Sequence, residues 1–597
     1  MKTFLLTIIT LCFTQITLAQ QITGWVTDSS DGLPLAGATI IQLETTNGTT
    51  TNSGGFFSLQ LMEDPGPTIS ISFIGYKTQI ITIVDSSELN IRLERENSLL
   101  SDLTVISSRA SKIDPVTQTT LPALQIENNY AGQDASIVLE RNIPSVVSFS
   151  DAGTDIGNYV QFRLRGIDQT RINTTLNGVP LNDMIDQGVF FSNFSDFANS
   201  MQSIQVQRGV GLSANGTASY AGSVNFESIS LEGEEPEIGV DFTGGSFNTL
   251  RTAGEVKSGR LSNGMAVYSR FTRTLSDGYK FNSGSDSYSF FFSGGYLGNR
   301  HVLKVNAFAG KTQNDQSYLP VLRADIENEP RTNYNSPNDT DDFEQELVQL
   351  QYTGLLKDDL ILNSSLYYGG SRGVFPFGLS PTNQLLFGLE NDHFGVMSDL
   401  SYKTGNLNIK GGFHAYTFRR KNVNSTAPNI SNPDYEDEST KNEFSTFLRT
   451  SYSFGNLNVF GDLQVRFVEL IFDTDQIQSF GASVPAGGLN SSRDWLFLNP
   501  RVGARLTLSQ RSSVYASIGS TEREPTRTDI LQGDGSSINE FNYISALDEG
   551  IVVAEHVIDY ELGYNFRKGG LQTDLNFFWM DFSNEISLVG ALAANSY

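Results

Sequence analysis

Cysteine is all but missing: one occurs in 597 residues, Cys12, inside the first twenty. Neither a disulfide framework nor a thiolate metal site can be built downstream of it. Positive charge is scarce too, with 40 Lys and Arg against 66 Asp and Glu and a net charge of −26. A nucleic-acid binder needs basic surface to replace counterions, so nucleic acid is excluded as a partner. Charged residues of both signs make up only 18% of the chain, below the ~25% of soluble domains. Mean hydropathy is −0.21, which excludes a bundle of membrane-crossing helices. Entry into a membrane by strands stays open, because only every second residue of such a strand meets lipid. What the chain does have is 40 Phe, 22 Tyr and 55 Gly beside 18 Pro, an aromatic content foreign to disordered chains. The length predicts more than one domain.

The chain opens MKTFLLTIITLCFTQITLAQ. A lysine, a short apolar core from Phe4 to Phe13 and the small residue Ala19 predict a secretory signal over 1–19. The apolar stretch is too short for a membrane anchor, and Leu11 is bulky where a lipoprotein signal before Cys12 wants a small residue.

Residues 20–96 alternate in six short β-prone runs beginning at Ile22, Ala38, Phe56, Ile69, Ile80 and Leu89. Ser30-Asp31-Gly32, Asn47-Gly48, Ser53-Gly54-Gly55 and Pro65-Gly66-Pro67 punctuate them, which predicts a small β-sandwich. Gly24-Trp25-Val26-Thr27-Asp28, Pro34 to Ile40, Thr51 to Leu59 and Ser72-Phe73-Ile74-Gly75-Tyr76 resemble the carboxypeptidase-regulatory-like module. That module often precedes outer-membrane receptors of the Bacteroidetes type, and the resemblance implies no peptidase activity.

Residues 97–120 are rich in Ser and Thr and hold one short β-prone segment, Asp102-Leu103-Thr104-Val105-Ile106. Its chemistry suits a linker strand or a strand offered to the sheet edge of another protein. Residues 121–232 then carry Arg141-Asn142-Ile143-Pro144, Val160-Gln161-Phe162-Arg163-Leu164-Arg165-Gly166, the hairpin signal Asn177-Gly178, Ser203 to Gly209 and Tyr220 to Phe226. Arginines on strands beside glycines need partners from outside so small a sheet. The ordered set resembles the plug domain of TonB-dependent outer-membrane receptors. The resemblance implies an α/β plug, makes residues 102–106 the TonB box, and names TonB, the energy coupler of the inner membrane, as partner. It also implies a lock between plug arginines (Arg163, Arg165, Arg208) and barrel glutamates (Glu522, Glu524). For the latter, a solvated charge run is the competing reading.

From 233 to 597 the alternation enlarges. Leu457, Val459, Gly461, Leu463, Val465 and Phe467 alternate with Asn458, Phe460, Asp462, Gln464 and Arg466; Tyr560, Leu562, Tyr564 and Phe566 alternate with Asp559, Glu561, Gly563 and Asn565. Apolar-out, polar-in strands of ~10 residues mark a transmembrane barrel in contact with outer-membrane lipids. A soluble sandwich also alternates, but the connections here alternate between tight turns (such as 404–406 and 455–456) and long links (275–287, 311–343, 371–392, 420–442, 472–494, 521–555). About fifteen strands are counted. The family closes with 22, so a C-terminally truncated barrel is expected.

No nucleophile elbow, metal-ligand cluster or phosphate loop stands out, and the reading is not an enzyme and without cofactor. The four histidines, His301, His393, His414 and His556, show no metal-ligand spacing. The architecture is mainly β: sandwich, α/β plug and antiparallel barrel. The resemblance implies TonB-driven import in the outer membrane of a Gram-negative cell. A ferric siderophore is the first cargo by the family's commonest use. Glycan, cobalamin and peptide stay open, as do a signal-transducing receptor and a structural or adhesin barrel. The plug apex with Asn182, Asp183, Asp186 and Gln187 is the candidate ligand contact; no metal site is assigned.

Overall fold

The computed structural model describes residues 21–586 except 30–31, 36, 44, 46, 53, 62–66, 74–75, 77, 84–87, 94–108, 112–113, 213–219, 234, 358, 381–382, 428–432, 475–488, 510, 531–551 and 569–570. The expected signal and the segment Asp102 to Ile106 lie outside the described residues.

The N-terminal unit is a two-sheet sandwich. Gln21–Asp28 pairs antiparallel with Phe56–Gln60 and parallel with Glu88–Leu93. The second sheet orders Gly48–Thr50, Thr39–Gln42, Thr68–Ser72 and Gln79–Thr82. Alternation buries Ile22, Val26, Ile40, Phe57, Ile69, Ile71 and Ile91 in one core. The strand that the sequence did not announce, Gly48–Thr50, has three residues and begins inside the Asn47-Gly48 turn signal.

The plug is built on a mixed five-stranded sheet ordered Val179–Pro180, Ile172–Leu176, Gly222–Ser228, Met201–Arg208 and Gln118–Pro122. Asn177 and Gly178 both take positive φ (49° and 87°), the geometry that a two-residue primed hairpin demands. Helices Ala123–Asn129 and Ala135–Asn142 flank the sheet, the second capped by the Asp134 side chain, which accepts from the Ser136 N–H at 2.8 Å. Phe191, Phe194, Phe197 and Phe226 stack edge to face. Phe291 and Phe308, from barrel strands, join them, so plug and barrel share one apolar core.

Among the described residues, fifteen antiparallel strands, each beside its sequence neighbour, run from Glu237–Gly244 to Leu571–Ser583. Their burial is inside-out for a soluble protein. Along Leu457–Thr474, Leu463 and Phe467 are exposed by 41% and 47%, while Asp462, Gln464 and Arg466 are buried. An apolar outer face with a polar inner one is a lipid-facing wall around a polar lumen. No helix among the described residues is long and apolar enough to cross a membrane.

Two of the expected long links are corrected. The strands Leu360–Ser380 and Asn383–Thr404 stay paired up to Ser380, and Leu407–Thr426 pairs with Tyr435–Phe454 as far as Asn424. What reads as loop at 371–392 and 420–442 is therefore mostly hairpin. Its outward residues are charged pairs such as Lys421–Glu436 and Arg419–Glu438 instead of apolar side chains, which hides the strand from a search for apolar alternation. The link 316–339 is a true excursion carrying the helix Arg323–Asn328.

Candidate ligand cavity and plug–barrel contacts

Alternation along the barrel strands turns Tyr416, Phe418 and Arg420 of Leu407–Thr426 to one face, and Asn391 and His393 of Asn383–Thr404 to the same side. With the plug apex, Asn391, His393, Phe418 and Arg420 line a cavity of about 920 Å³. The plug contributes Tyr159, Arg163, Asn182, Asp183, Asp186 and Phe190; the barrel adds Phe308, Phe343, Phe375, Phe418 and Arg523.

The apex loop is held by its own side chains. The Asn182 Nδ2 donates to the carbonyls of Ile172 (3.1 Å) and Gln187 (2.7 Å), and its Oδ1 accepts from the Thr174 N–H (2.8 Å). Asp183 accepts from the N–H groups of Ile185 and Asp186. Both aspartates also receive Arg420, and Asp186 accepts the N–H and hydroxyl of Thr528 at 3.0 and 2.8 Å. Burial alone would raise the acid of Asp186; Arg420, Arg527 and the Thr528 bonds outweigh it and hold the carboxyl below its ordinary value. Asn182, Asp183 and Asp186 thus reach the cavity while serving as its frame. Gln187 is turned aside: its Oε1 accepts from Arg523 Nε at 2.8 Å and its Nε2 donates to Glu524 at 3.3 Å.

Plug and barrel are joined by an ion pair, but not between the residues expected. Arg165 donates from Nη2 to Glu561 and Asn576, each at 2.8 Å, and its guanidinium lies 3.8 Å from the centre of the Phe578 ring. Arg208 donates to Ser145 and Thr119, within the plug. Glu524 pairs with Lys441 and with Arg466 at 3.1 Å, both barrel residues, and reaches the plug through Gln187. Thr521 and Arg523 are buried on the inner face, and Glu522 between them is not. Strand parity turns Glu522 away from the lumen, whereas Glu524 faces inward but is taken by Lys441 and Arg466. Arg163 is exposed and lines the cavity.

Two clusters carried no signal in the sequence. Asp196, at φ 63°, accepts from Arg251 Nε (2.8 Å), Arg251 Nη2 (3.1 Å), Arg270 Nε (2.8 Å) and the Thr272 hydroxyl (2.7 Å). It clamps the plug to two barrel strands. Second, barrel register brings together His393 and His414, with the Tyr367 hydroxyl 3.1 and 2.8 Å from their Nε2 atoms. Among the described residues no three of His, Cys, Asp and Glu converge.

Comparison with known proteins agrees with this architecture. Residues 22–106 match the CarboxypepD_reg-like domain, 112–223 the TonB-dependent Receptor Plug Domain, and 280–597 the "TonB dependent receptor-like, beta-barrel" family. A TonB-dependent receptor of Formosa agariphila is 24% identical over 328 residues, 49% of this chain and 30% of that protein. The TonB-dependent receptor SusC of Bacteroides thetaiotaomicron is 33% identical over 152 residues, 25% of this chain and 14% of its own. The matches span less than a third of either curated relative. Among solved structures, the ferric citrate transporter FecA aligns with a TM-score of 0.65 at 16% identity, covering 79% of this chain and 71% of its own. The ferric yersiniabactin uptake receptor FyuA of Yersinia pestis aligns at 0.64 and 13% identity, covering 80% and 74%. At those identities the likeness is one of fold. The barrel model alone covers more than half of the chain, so the chain belongs to the family of TonB-dependent receptors.

Proposed function

We propose that this chain imports a ferric siderophore across the outer membrane of a Gram-negative bacterium, with the ligand held in the plug-apex cavity. TonB pairs with Asp102 to Ile106 as an added strand and draws on the plug. The observation that carries the reading is the cavity itself. About 920 Å³ is room for one compact chelate, and the walls combine aromatic rings with amides and carboxylates.

The charges narrow the chelate. The lining carries Asp151, Asp168, Asp183, Asp186, Glu346, Asp529 and Glu585 against Arg163, Arg171, Arg420 and Arg523. Three of those arginines already meet carboxylates: Arg171 and Arg523 meet Glu555, and Arg420 meets Asp183 and Asp186. A polyanionic ferric complex finds little free positive charge there, whereas an uncharged or cationic ferric hydroxamate meets no repulsion. Phe rings beside Gln161, Asn182 and Asn391 also suit a neutral glycan, which is the second reading.

The deciding experiment measures uptake of labelled ferric hydroxamate, ferric catecholate and a neutral oligosaccharide in the source bacterium, with the native gene and with residues 102–106 deleted. Hydroxamate uptake lost on deletion at normal surface levels supports the proposal. Deletion-sensitive uptake of the oligosaccharide alone moves the assignment to glycans, and no deletion-sensitive uptake sinks both.

A further inference from the structure

We propose that Tyr367, His393 and His414 form a binding site for one borderline divalent transition-metal ion, Cu2+ ahead of Zn2+, in the lumen wall beside the ligand cavity. The three side chains come from adjacent barrel strands: Tyr367 on Leu360–Ser380, His393 on Asn383–Thr404 and His414 on Leu407–Thr426. The Tyr367 oxygen lies 3.1 Å from His393 Nε2 and 2.8 Å from His414 Nε2. Two ligands ~2.0–2.1 Å from one ion, at angles between square and tetrahedral, lie about 2.8–3.4 Å apart. The two separations between the Tyr367 oxygen and the imidazole nitrogens fall in that range, so an ion can take the place of the phenolic proton between them.

The donor set fits the ion class. Imidazole nitrogen suits copper and zinc, and among divalent ions copper binds such sites most strongly. On binding, the phenol gives its proton to solvent and coordinates as phenolate, and each imidazole binds neutral through Nε2. The rings are held: His393 packs edge-on against Tyr367 and Tyr416, with centroids at 5.0 and 5.1 Å. Tyr416 is itself fixed by its bond to Glu443 at 2.8 Å. His393 lines the cavity, which gives an ion a path to the site from the lumen. A purely structural hydrogen-bonded triad is the competing reading. The site is independent of which cargo the receptor carries.

The test titrates CuCl2 into the full chain in detergent, tag removed, against a glycine competitor. Calorimetry, electron paramagnetic resonance and absorption are followed. The expected result is one equivalent, a two-nitrogen coupling pattern and a tyrosinate-to-copper band. Tyr367→Phe keeps the ring packing, so it removes the band and weakens binding at least about ten-fold with the barrel intact. His393→Ala and His414→Ala remove nitrogen coupling, while His301→Ala/His556→Ala changes nothing. No saturable binding, or binding that keeps its spectrum and affinity in Tyr367→Phe, overturns the proposal.

Discussion

Arg165 of the plug and Glu561 of the strand Glu555–Lys568 meet at 2.8 Å across 396 residues of chain, both buried. Arg165 sits at φ 53° directly before Gly166, so the turn aims its side chain outward from the plug sheet. Glu561 also accepts from the Thr117 N–H and hydroxyl, at 3.3 and 2.9 Å. One carboxylate thus ties two separate plug segments to the wall. Glu561→Ala takes the paired carboxylate from a buried guanidinium and leaves it Asn576 and the nearby charge of Asp559, so it is expected to cost the plug seat less than the about 3–5 kcal/mol of a wholly unpaired buried charge. Hydrogen exchange of 118–122 and 160–164 reads it. Arg165→Ala in the same background costs much less than in the native chain, and additive losses would refute the pairing.

Arg109 is the first described residue after the proposed TonB-pairing segment, and its side chain is anchored. Its guanidinium donates to Glu227 at 2.8 Å and to the carbonyls of Asn225 and Ser203 at 2.6 and 3.0 Å. A pull on residues 102–106 reaches this latch before the plug sheet. Arg109→Ala is expected to remove about 2–3 kcal/mol of it, the worth of a buried charge-assisted group. Single-molecule pulling from position 102 then records a lower first-event force. An unchanged force means that the strain bypasses Arg109.

The barrel was legible because its period is two and its lipid face is apolar: Leu457 to Phe467 can be sorted into faces by inspection. The Asn177-Gly178 hairpin was legible because two consecutive positive φ values leave few residues to choose from. The lock was legible as a need, since Arg165 had no partner within its own sheet, but its partner was not. Glu522 and Glu561 look alike in sequence, and only the parity of their strands separates an inner from an outer face. Asp196 with Arg251 and Arg270, and Tyr367 with His393 and His414, depend on register between elements. Local sequence does not encode register once both neighbours alternate.

Acid should not loosen the apex until well below the ordinary carboxylate range. Burial raises the acid of Asp186, but Arg420, Arg527 and Thr528 together depress it. The contribution of a depressed acid is fully present above its unfolded value of ~3.9 and is lost as pH falls through the lower folded value. Thermal unfolding of the native chain should therefore show no Asp186-linked loss between pH 8 and pH 5. Asp186→Asn is expected to lower the melting temperature throughout that window and to converge on the native chain only in strong acid. A gap between the two that widens on acidification would reverse the sign and refute the assignment.

Close approach of backbones sets the last expectation. Gly310, on the barrel strand His301–Asp315, faces the plug turn Phe191–Phe194 so closely that a Cβ would stand 2.0 Å from the Asn193 carbonyl oxygen and 2.7 Å from Phe194 Cα. Both obstacles are backbone, so no rotamer change can relieve them. Gly310→Ala must displace the turn and with it Phe194, which packs on Phe308 at 4.9 Å and Phe197 at 4.9 Å. Overpacking of this kind costs about 1–3 kcal/mol. Gly254→Ala is the matched control: it lies in the strand Leu250–Lys257 with nothing within 4 Å of the added carbon, and the lost chain entropy of glycine makes it neutral or slightly stabilising. Proteolysis at the plug turn separates the two: it should rise for Gly310→Ala and stay at the native level for Gly254→Ala. Equal rates in both variants would mean that the plug does not seat against this strand in the membrane.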